Sequence, residues 1–352
     1  MSGNQKQNAT DSSIAVQGGR DVTINQGITT EQMGEILGAL SSHVDTLGGH
    51  AKAEIERRLG VLERSVLERF ASDDTANKEA FSDPDFQAAT LDAQKAFARS
   101  GDEDLKTVLV DLIAQRSKVS DRTRLSLTLN DAIQKVGVIP VADLNAMSVM
   151  FVFKNAHLAA AVSLHQVLLH LSTVAQCAMN FSSSQSALQY LLAHGCVTAG
   201  ASVATYPDAF ELISKVYPEA ISKGVPRDTM QSSMPAYDDL VSSGYVGVSE
   251  YDPDFDILHI GARDLNRVLS QFGIFEDHSN FYSRLVKENL PSREEFIDVA
   301  EKNLPDIRNI LDAYDAPMLR NSQLTSIGIA LAHANIDSDL IKRADLSIWV
   351  KA

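Results

Sequence analysis

With 352 residues, 44% of them hydrophobic and 22% charged, the chain has the composition of a globular protein of two domains or one large one, which excludes collagen-like and wholly disordered architectures. Its 46 acidic residues outweigh 31 basic ones, for a net charge of −15. A surface of that sign repels phosphate backbones, so no nucleic-acid partner is expected.

Residues 1–12 are polar and small, and bury too little apolar surface to offset the entropy of ordering, which predicts a flexible tail. Residues 13–28 change texture. Ile14 and Val16 alternate with small or polar residues, as do Val22 and Ile24, with Gly18-Gly19 between the pairs and Gly27 after them. That period-two pattern around a glycine turn predicts a short β-hairpin leader. Strands this short do not stand alone in water, so the leader calls for a pairing partner, and a second copy of the chain is one candidate.

Residues 29–76 read as a coiled-coil-prone helix. Thr29 and Gln32 fit a capping box. Met33, Leu37, Leu40, Val44 and Leu47 recur at alternating intervals of four and three. After Gly48-Gly49 the seam resumes with Ile55, Leu59, Leu62 and Val66. Glu54, Arg57, Arg58, Glu63 and Arg64 lie between these positions as a mixed-sign solvated face. A narrow seam with charged flanks suits helix-to-helix association. Its positions, together with Ile14, Val16, Val22 and Ile24, are therefore candidate oligomerisation residues; packing of the same helix against its own body is the alternative.

A helical core domain is predicted over residues 84–200, opened by Asp83 as N-cap and Pro84 at the first helical position. Helices are expected over 84–99, 102–118, 121–136, 141–154, 156–181 and 184–195, with short connections that make neighbours antiparallel. Lys154 and Asp208 bracket a stretch without a single Asp, Glu, Lys or Arg. The apolar run Leu158–Cys177 inside it is long enough to span a bilayer. Yet His165, Gln166, His170 and Gln176 are costly in lipid, and no basic or aromatic flanks anchor its ends. A core helix buried on all sides explains the same pattern.

Residues 201–352 read as an irregular helical C-terminal region punctuated by Pro207, Pro218, Pro226 and Pro235. Helices are expected near 235–243, 262–272, 278–289, 292–303, 305–315 and 322–334, with short strands at 244–249 and 256–260. Ser292 and Glu295 make a second capping box. The apolar run Leu346–Val350, with the single tryptophan at Trp349, predicts a terminal strand or extended segment docked on the body. The predicted fold class is mainly α: a helical bundle-like body, an N-terminal β leader and a few short strands in the C-terminal half.

Recognisable chemistry is sparse. Cys177 and Cys196, the two cysteines, supply neither a disulfide framework nor a zinc site. His165 and His170 are five apart and fall on different helix faces, unlike the four-residue spacing of zinc helices. His194-Gly195-Cys196 sets an imidazole beside a thiol, but Gly195 reads more simply as a helix C-cap. The acids of Glu250-Tyr251-Asp252-Pro253-Asp254-Phe255-Asp256 lack the turn glycine and closing glutamate of a calcium loop. Neither a Walker A loop, nor a dinucleotide fingerprint, nor a serine nucleophile elbow occurs, and no cofactor or metal is implied. Arg116, Lys118, Arg122 and Arg124 form the one compact basic group, read as a solvated helix end. No apolar signal segment precedes the leader, so a cytoplasmic location is expected, and no membrane partner.

The leader Ile14-Ala-Val-Gln-Gly-Gly-Arg-Asp-Val-Thr-Ile-Asn-Gln-Gly27 resembles short N-terminal segments on many otherwise different bacterial proteins, several from anti-phage or conflict loci. The body is similar to an uncharacterised bacterial protein family over Ala88–Phe97, Gly101–Leu105, Leu324–Ile336 and Leu346–Val350. The resemblance carries no catalytic residue; it implies that the leader is a homotypic or partner-recognition tag. The leading expectation is a non-enzymatic, homo-oligomeric scaffold or sensor in bacterial defence, with a protein partner or effector. One alternative is an enzyme whose site forms from His194, Cys196, His259, Asp252, Asp254 and His333. The other is an effector that inserts its charge-free segment into a membrane.

Overall fold

A computed structural model describes the backbone of residues 30–159, 161–199, 206–260, 264–274 and 276–351, and side chains from residue 48 on, apart from 276–279 and 281. The leader residues Ile14, Val16, Val22 and Ile24 lie outside the described residues. So do the side chains of Met33, Leu37, Leu40, Val44 and Leu47, whose backbone is helical.

The chain is mainly α. A long helix α1 (Thr30–Ser72) leads through a 3-10 turn (Lys78–Ser82) to α2 (Pro84–Ser100), α3 (Glu103–Ser117), α4 (Arg124–Val136) and α5 (Val141–Lys154). Shorter elements follow: α6 (Leu164–Ser172), α7 (Ala175–Met179), α8 (Gln185–Ala193), β1 (Val197–Ala199), α9 (Ala209–Val216) and α10 (Pro218–Ile221). Next come β2 (Val225–Pro226), α11 (Arg227–Ser233), α12 (Tyr237–Ser242), β3 (Val246–Val248), β4 (Phe255–Leu258), α13 (Leu265–Gln271) and α14 (Glu276–Glu288). The chain closes with α15 (Arg293–Ala300), α16 (Ile307–Asp315), α17 (Pro317–Asn321), β5 (Ser322–Leu324), α18 (Ser326–Asn335), α19 (Asp339–Lys342) and a 3-10 turn (Leu346–Ile348).

Local chemistry explains the clearest boundaries. Asp83 accepts from the Asp85 amide ahead of Pro84, and Asp102 accepts from Asp104 and Leu105, so α2 and α3 each begin on a satisfied cap. Gly101 sits between them at φ 63, a left-handed turn in which its amide donates to Phe97 O. Ser292 and Glu295 form the capping box their spacing predicts.

Two compact units divide the chain, Met1–Glu56 and Arg57–Ala352. Within the second, the apolar cores do not follow the expected boundary at residue 200. One core runs from Leu62 to Ile221 and takes in Phe296 to Val350 as well, while residues 225–286 enclose a smaller core of their own. The stretch between β2 and α14 is thus an insertion, built on the antiparallel sheet β2-β4-β3. The C-terminal helices return to the main core. There α18 packs on α3, α4 and α5, and β5 pairs antiparallel with β1 through Val197 and Leu324.

The helix surrounded by protein is α5, whose residues 143–153 are all buried, with α18 beside it. The predicted helix 156–181 is instead broken. Ser163 caps the start by accepting from the Gln166 amide, and Gln166 Oε1 accepts from Val162 N, so the helix begins only at Leu164, and it ends at Ser172 before α7 begins at Ala175. Leu169 is 55% exposed, so this run is not buried on all sides. The C-terminal Leu346–Val350 is no strand: Asp345 accepts from Ser347 N and winds a 3-10 turn. Trp349 still docks, edge-on to Phe151 at 4.9 Å, with Nε1 donating to Asn155 O at 2.8 Å, whereas Ile348 faces solvent.

The expected helix seam is used in part by the body itself. Leu62, Val66 and Phe70 lie in the main core, so Leu62 and Val66 are unavailable to a second copy; Leu59 is half-buried and Ile55 is exposed. Arg58 fastens the same stretch by donating to Ala98 O and Arg99 O at the end of α2.

Arg116 is a further correction. It is not a solvated helix end but 2% exposed, at the junction of α2, α3 and α4. Its Nε donates to Asn130 Oδ1 at 2.8 Å, Nη1 to Val119 O at 2.6 Å, and Nη2 to Asp85 Oδ2 at 2.7 Å. Asn130 Nδ2 closes the network on the same Asp85 oxygen at 2.9 Å. Removing the buried guanidinium takes the donors from Asn130 Oδ1 and Val119 O and leaves a cavity between the helices, while the half-exposed Asp85 keeps Asn130 and water. Arg116→Ala is expected to lower the unfolding free energy by about 3 kcal/mol in urea titration, with Arg116→Lys recovering little because an ammonium cannot form the fork. Gly328→Ala tests the return of α18: a Cβ there would meet Cys196 O at 2.0 Å, and the same titration should show a loss of about 2 kcal/mol.

Candidate functional site

The six residues of the enzyme reading do not come together. Cys196 is fully buried, its Sγ faces the His194 carbonyl oxygen at 3.9 Å, and the His194 ring lies on Tyr190 instead. His333 is buried in the main core between Phe151 and Trp349, with Nε2 at 3.2 Å from Ile341 O. Burial holds its imidazole below the ordinary histidine value. His259 is exposed at the end of β4, with its ring against Gly247. Asp252 and Asp254 belong to a turn in which Asp252 Oδ1 accepts from Asp254 N. Their neighbour Asp256 is buried under Arg227 and Tyr237. Among the described residues, no group of three His, Cys, Asp or Glu side chains converges to hold a metal ion. None of the helices searched there is long and apolar enough to cross a membrane.

A different place has the shape of a site. An open pocket of about 770 Å³ lies between α3, α5, α6, α7, α18 and α19. That size is within the range of small-molecule sites. Its floor is a chain of polar side chains set into the apolar α5–α18 contact. Asn145 Nδ2 donates to the Asn180 carbonyl at 3.0 Å, which fixes the Asn145 amide, since a backbone carbonyl only accepts. Asn145 Oδ1 therefore faces Asn335, whose Nδ2 donates to it at 3.0 Å and to Ser148 Oγ at 2.9 Å. Ser148 is fixed in turn by donating to Leu144 O. Each amide in this floor has one orientation.

Around the floor, Ser172 and Thr173 end α6, Asp104 stands in the first turn of α3, and Asp337 and Asp339 approach from the α18–α19 connection. Val108, Val141, Leu169 and Leu340 supply apolar wall. Leu169 and Leu340 are 55% and 44% exposed, an uncovered apolar rim. Cys177 also lines the pocket, and burial pushes its thiol up to about 11. Sequence reasoning reached this region only through Cys177 and the charge-free stretch. Asn145 and Asn335 are too far apart along the chain to form a motif.

Both thiols are buried, and burial pushes Cys196 up to about 11 as well. Iodoacetamide at neutral pH should leave both unmodified in the folded protein and alkylate both in urea, as read by intact-mass spectrometry. Fast labelling of native Cys177 would show a thiolate that burial does not permit.

Comparison with curated proteins and with solved structures returns no match. A family model with the description ":-like" matches residues 27–350, beginning at the end of the leader, and the chain belongs to that family.

Proposed function

We propose that the chain is a non-enzymatic binding protein, a self-associating scaffold or sensor whose helical body takes up a small ligand in the α3–α5–α18 pocket. The observation that supports this best is the braced polar floor of Asn145, Ser148 and Asn335 beneath an open, partly apolar cavity. Polar side chains in an apolar helix contact cost stability unless every member is satisfied. A floor held in one orientation is what recognition of a ligand requires. Among the lining residues there is no histidine, and the one thiol is held protonated, so the lining favours binding over proton transfer or nucleophilic attack.

Self-association rests on the first unit. The Met33–Leu47 seam has its heptad spacing on a helical backbone, and Ile55 continues it with its side chain 42% exposed. Strand pairing between leaders would add hydrogen bonds to the same association. The leader's resemblance to segments of conflict-locus proteins supports a setting in bacterial defence, with the body displayed to a partner or effector.

Light scattering coupled to size-exclusion chromatography tests the assembly. The full chain should run as a defined multimer, a variant starting at Gln32 at lower order, and one starting at Glu54 as a monomer. Equal monomer masses for all three would overturn the assembly reading. For the pocket, thermal-shift screening of the full chain with cationic, neutral and anionic small molecules should find stabilising compounds whose effect is lost in Leu169→Trp, whose ring would fill the mouth.

A further inference from the structure

The polar groups around this pocket are biased toward acceptance. Thr107, Ser172 and Thr173 have one hydroxyl hydrogen each, and each is donated to a backbone carbonyl: Glu103 O at 3.2 Å, Leu169 O at 2.8 Å and His170 O at 2.7 Å. A ligand therefore meets their lone pairs. Asn335 directs its amide hydrogens inward to Asn145 and Ser148, which leaves its carbonyl oxygen as the end without a protein partner. Asp104, Asp337 and Asp339 add three carboxylates at the rim. Among the other lining residues, Gln176, Asn180 and Ser338 can present either a donor or an acceptor, with Asn180 Nδ2 already giving one hydrogen to Gln176 O at 3.2 Å.

The cations near these carboxylates offset them only in part. Lys342, 17% exposed, pairs with Asp337 at 3.1 Å and is held there. Arg343 reaches Asp339 only at 4.0 Å, with both side chains largely in solvent. An exposed pair of the second kind exchanges readily with a competing cation, which leaves Asp104 and Asp339 as the carboxylates open to a ligand. The carboxylates also do not converge on one point, since no metal-holding group of three occurs among the described residues. The complementary ligand is therefore neither an anion nor a compact divalent cation. It carries several N–H donors and positive charge spread along its length.

The walls add a second requirement. Val108, Val141, Leu169 and Leu340 lie among the acceptors, and the last two present apolar surface at the mouth. Methylene segments covering them gain burial, while ammonium groups between the segments reach the carboxylates and hydroxyl oxygens. We infer that the pocket binds a linear aliphatic polyamine, with its ammonium groups on Asp104 and Asp339 and its methylenes on Leu169 and Leu340. This rests on the pocket being a binding site, the reading given above.

Isothermal titration of the full chain with spermidine tests it, at low and at physiological ionic strength. One saturable site per chain is expected, weakened about tenfold by Asp104→Asn and about tenfold by Asp339→Asn. Both side chains lie at the rim, so each variant should keep the parent's melting temperature in the absence of spermidine. A double Asp252→Asn, Asp254→Asn variant, altered on the insertion's exposed turn, should bind as the parent does. Heat that never saturates at one per chain, or that falls equally in that double variant, would reveal diffuse attraction to an acidic surface and overturn the inference. So would a neutral or anionic compound that binds in place of spermidine and is lost in Leu169→Trp, although the pocket would then remain a binding site. Absence of binding by any class of compound would remove both readings.

Discussion

The buried guanidinium of Arg116 is the constraint on which the helical body depends. A charge at 2% exposure is tolerable only when its donors are met. Here they are met by one partner from each neighbouring piece of chain: Asp85 on α2, Asn130 on α4 and the Val119 carbonyl after α3. Because the fork is planar and its donors point in fixed directions, it sets how three helices meet as well as holding them together. The Asp85 carboxyl responds. Asn130 first, and Arg116 after it, hold it below the ordinary carboxylate range. The groove in which α18 lies is formed by α3, α4 and α5, so the position of Asn335 in the pocket follows from this junction.

A second polar anchor acts at the far end of α5. Lys154 donates to Leu319 O at 2.8 Å, to Arg320 O at 2.9 Å and to Ser322 O, beneath the rings of Tyr206 and Tyr314. These carbonyls end α17 and begin β5, where the negative end of a helix favours a cation. Burial alone pulls the ammonium down to about 8; the carbonyls and aromatic faces oppose that pull and keep the charge useful. With Asn145 near one end and Lys154 at the other, an otherwise apolar helix is pinned by polar contacts to a returning C-terminal segment. Apolar packing alone would tolerate sliding along α5, whereas these directional bonds select one position.

How much of this is legible in the sequence depends on whether the deciding interaction is local. The starts of α2 and α3 follow from Asp83-Pro84 and Asp102, and α15 from Ser292 with Glu295, because a cap is decided within four residues. The break before α6 is decided just as locally, by Ser163 and Gln166, but the apolar run around them masks it. What no local pattern carries is which core a segment joins. Residues 225–286 and 296–350 both carry short amphipathic helices, yet the first encloses its own core and the second completes the main one. Arg116 misleads for the same reason: a basic residue at a helix end suits a solvated surface until Asp85 and Asn130 arrive from other elements. The pocket is the extreme case, since Asn145 and Asn335 become a pair only when α18 reaches α5.

That distance in sequence also bears on why the floor is polar at all. Replacing Asn145, Ser148 and Asn335 with apolar residues of similar size would satisfy the α5–α18 contact without any amide to orient, and such exchanges are often neutral or stabilising. The network also sets the position of α18 along α5, and its place at the base of an open cavity is what supports the proposed binding role. Its hydrogens point into the protein, so the face left for a ligand is negative in character, matching the three rim carboxylates and the −15 charge of the whole chain. The compact basic cluster read from the sequence does not reverse that sign, because Arg116 is consumed inside the body and Lys118 is paired with Asp73 at 3.1 Å. In the proposed reading, short-range orientation and the acidic net charge act in the same direction and favour a cationic ligand at the pocket.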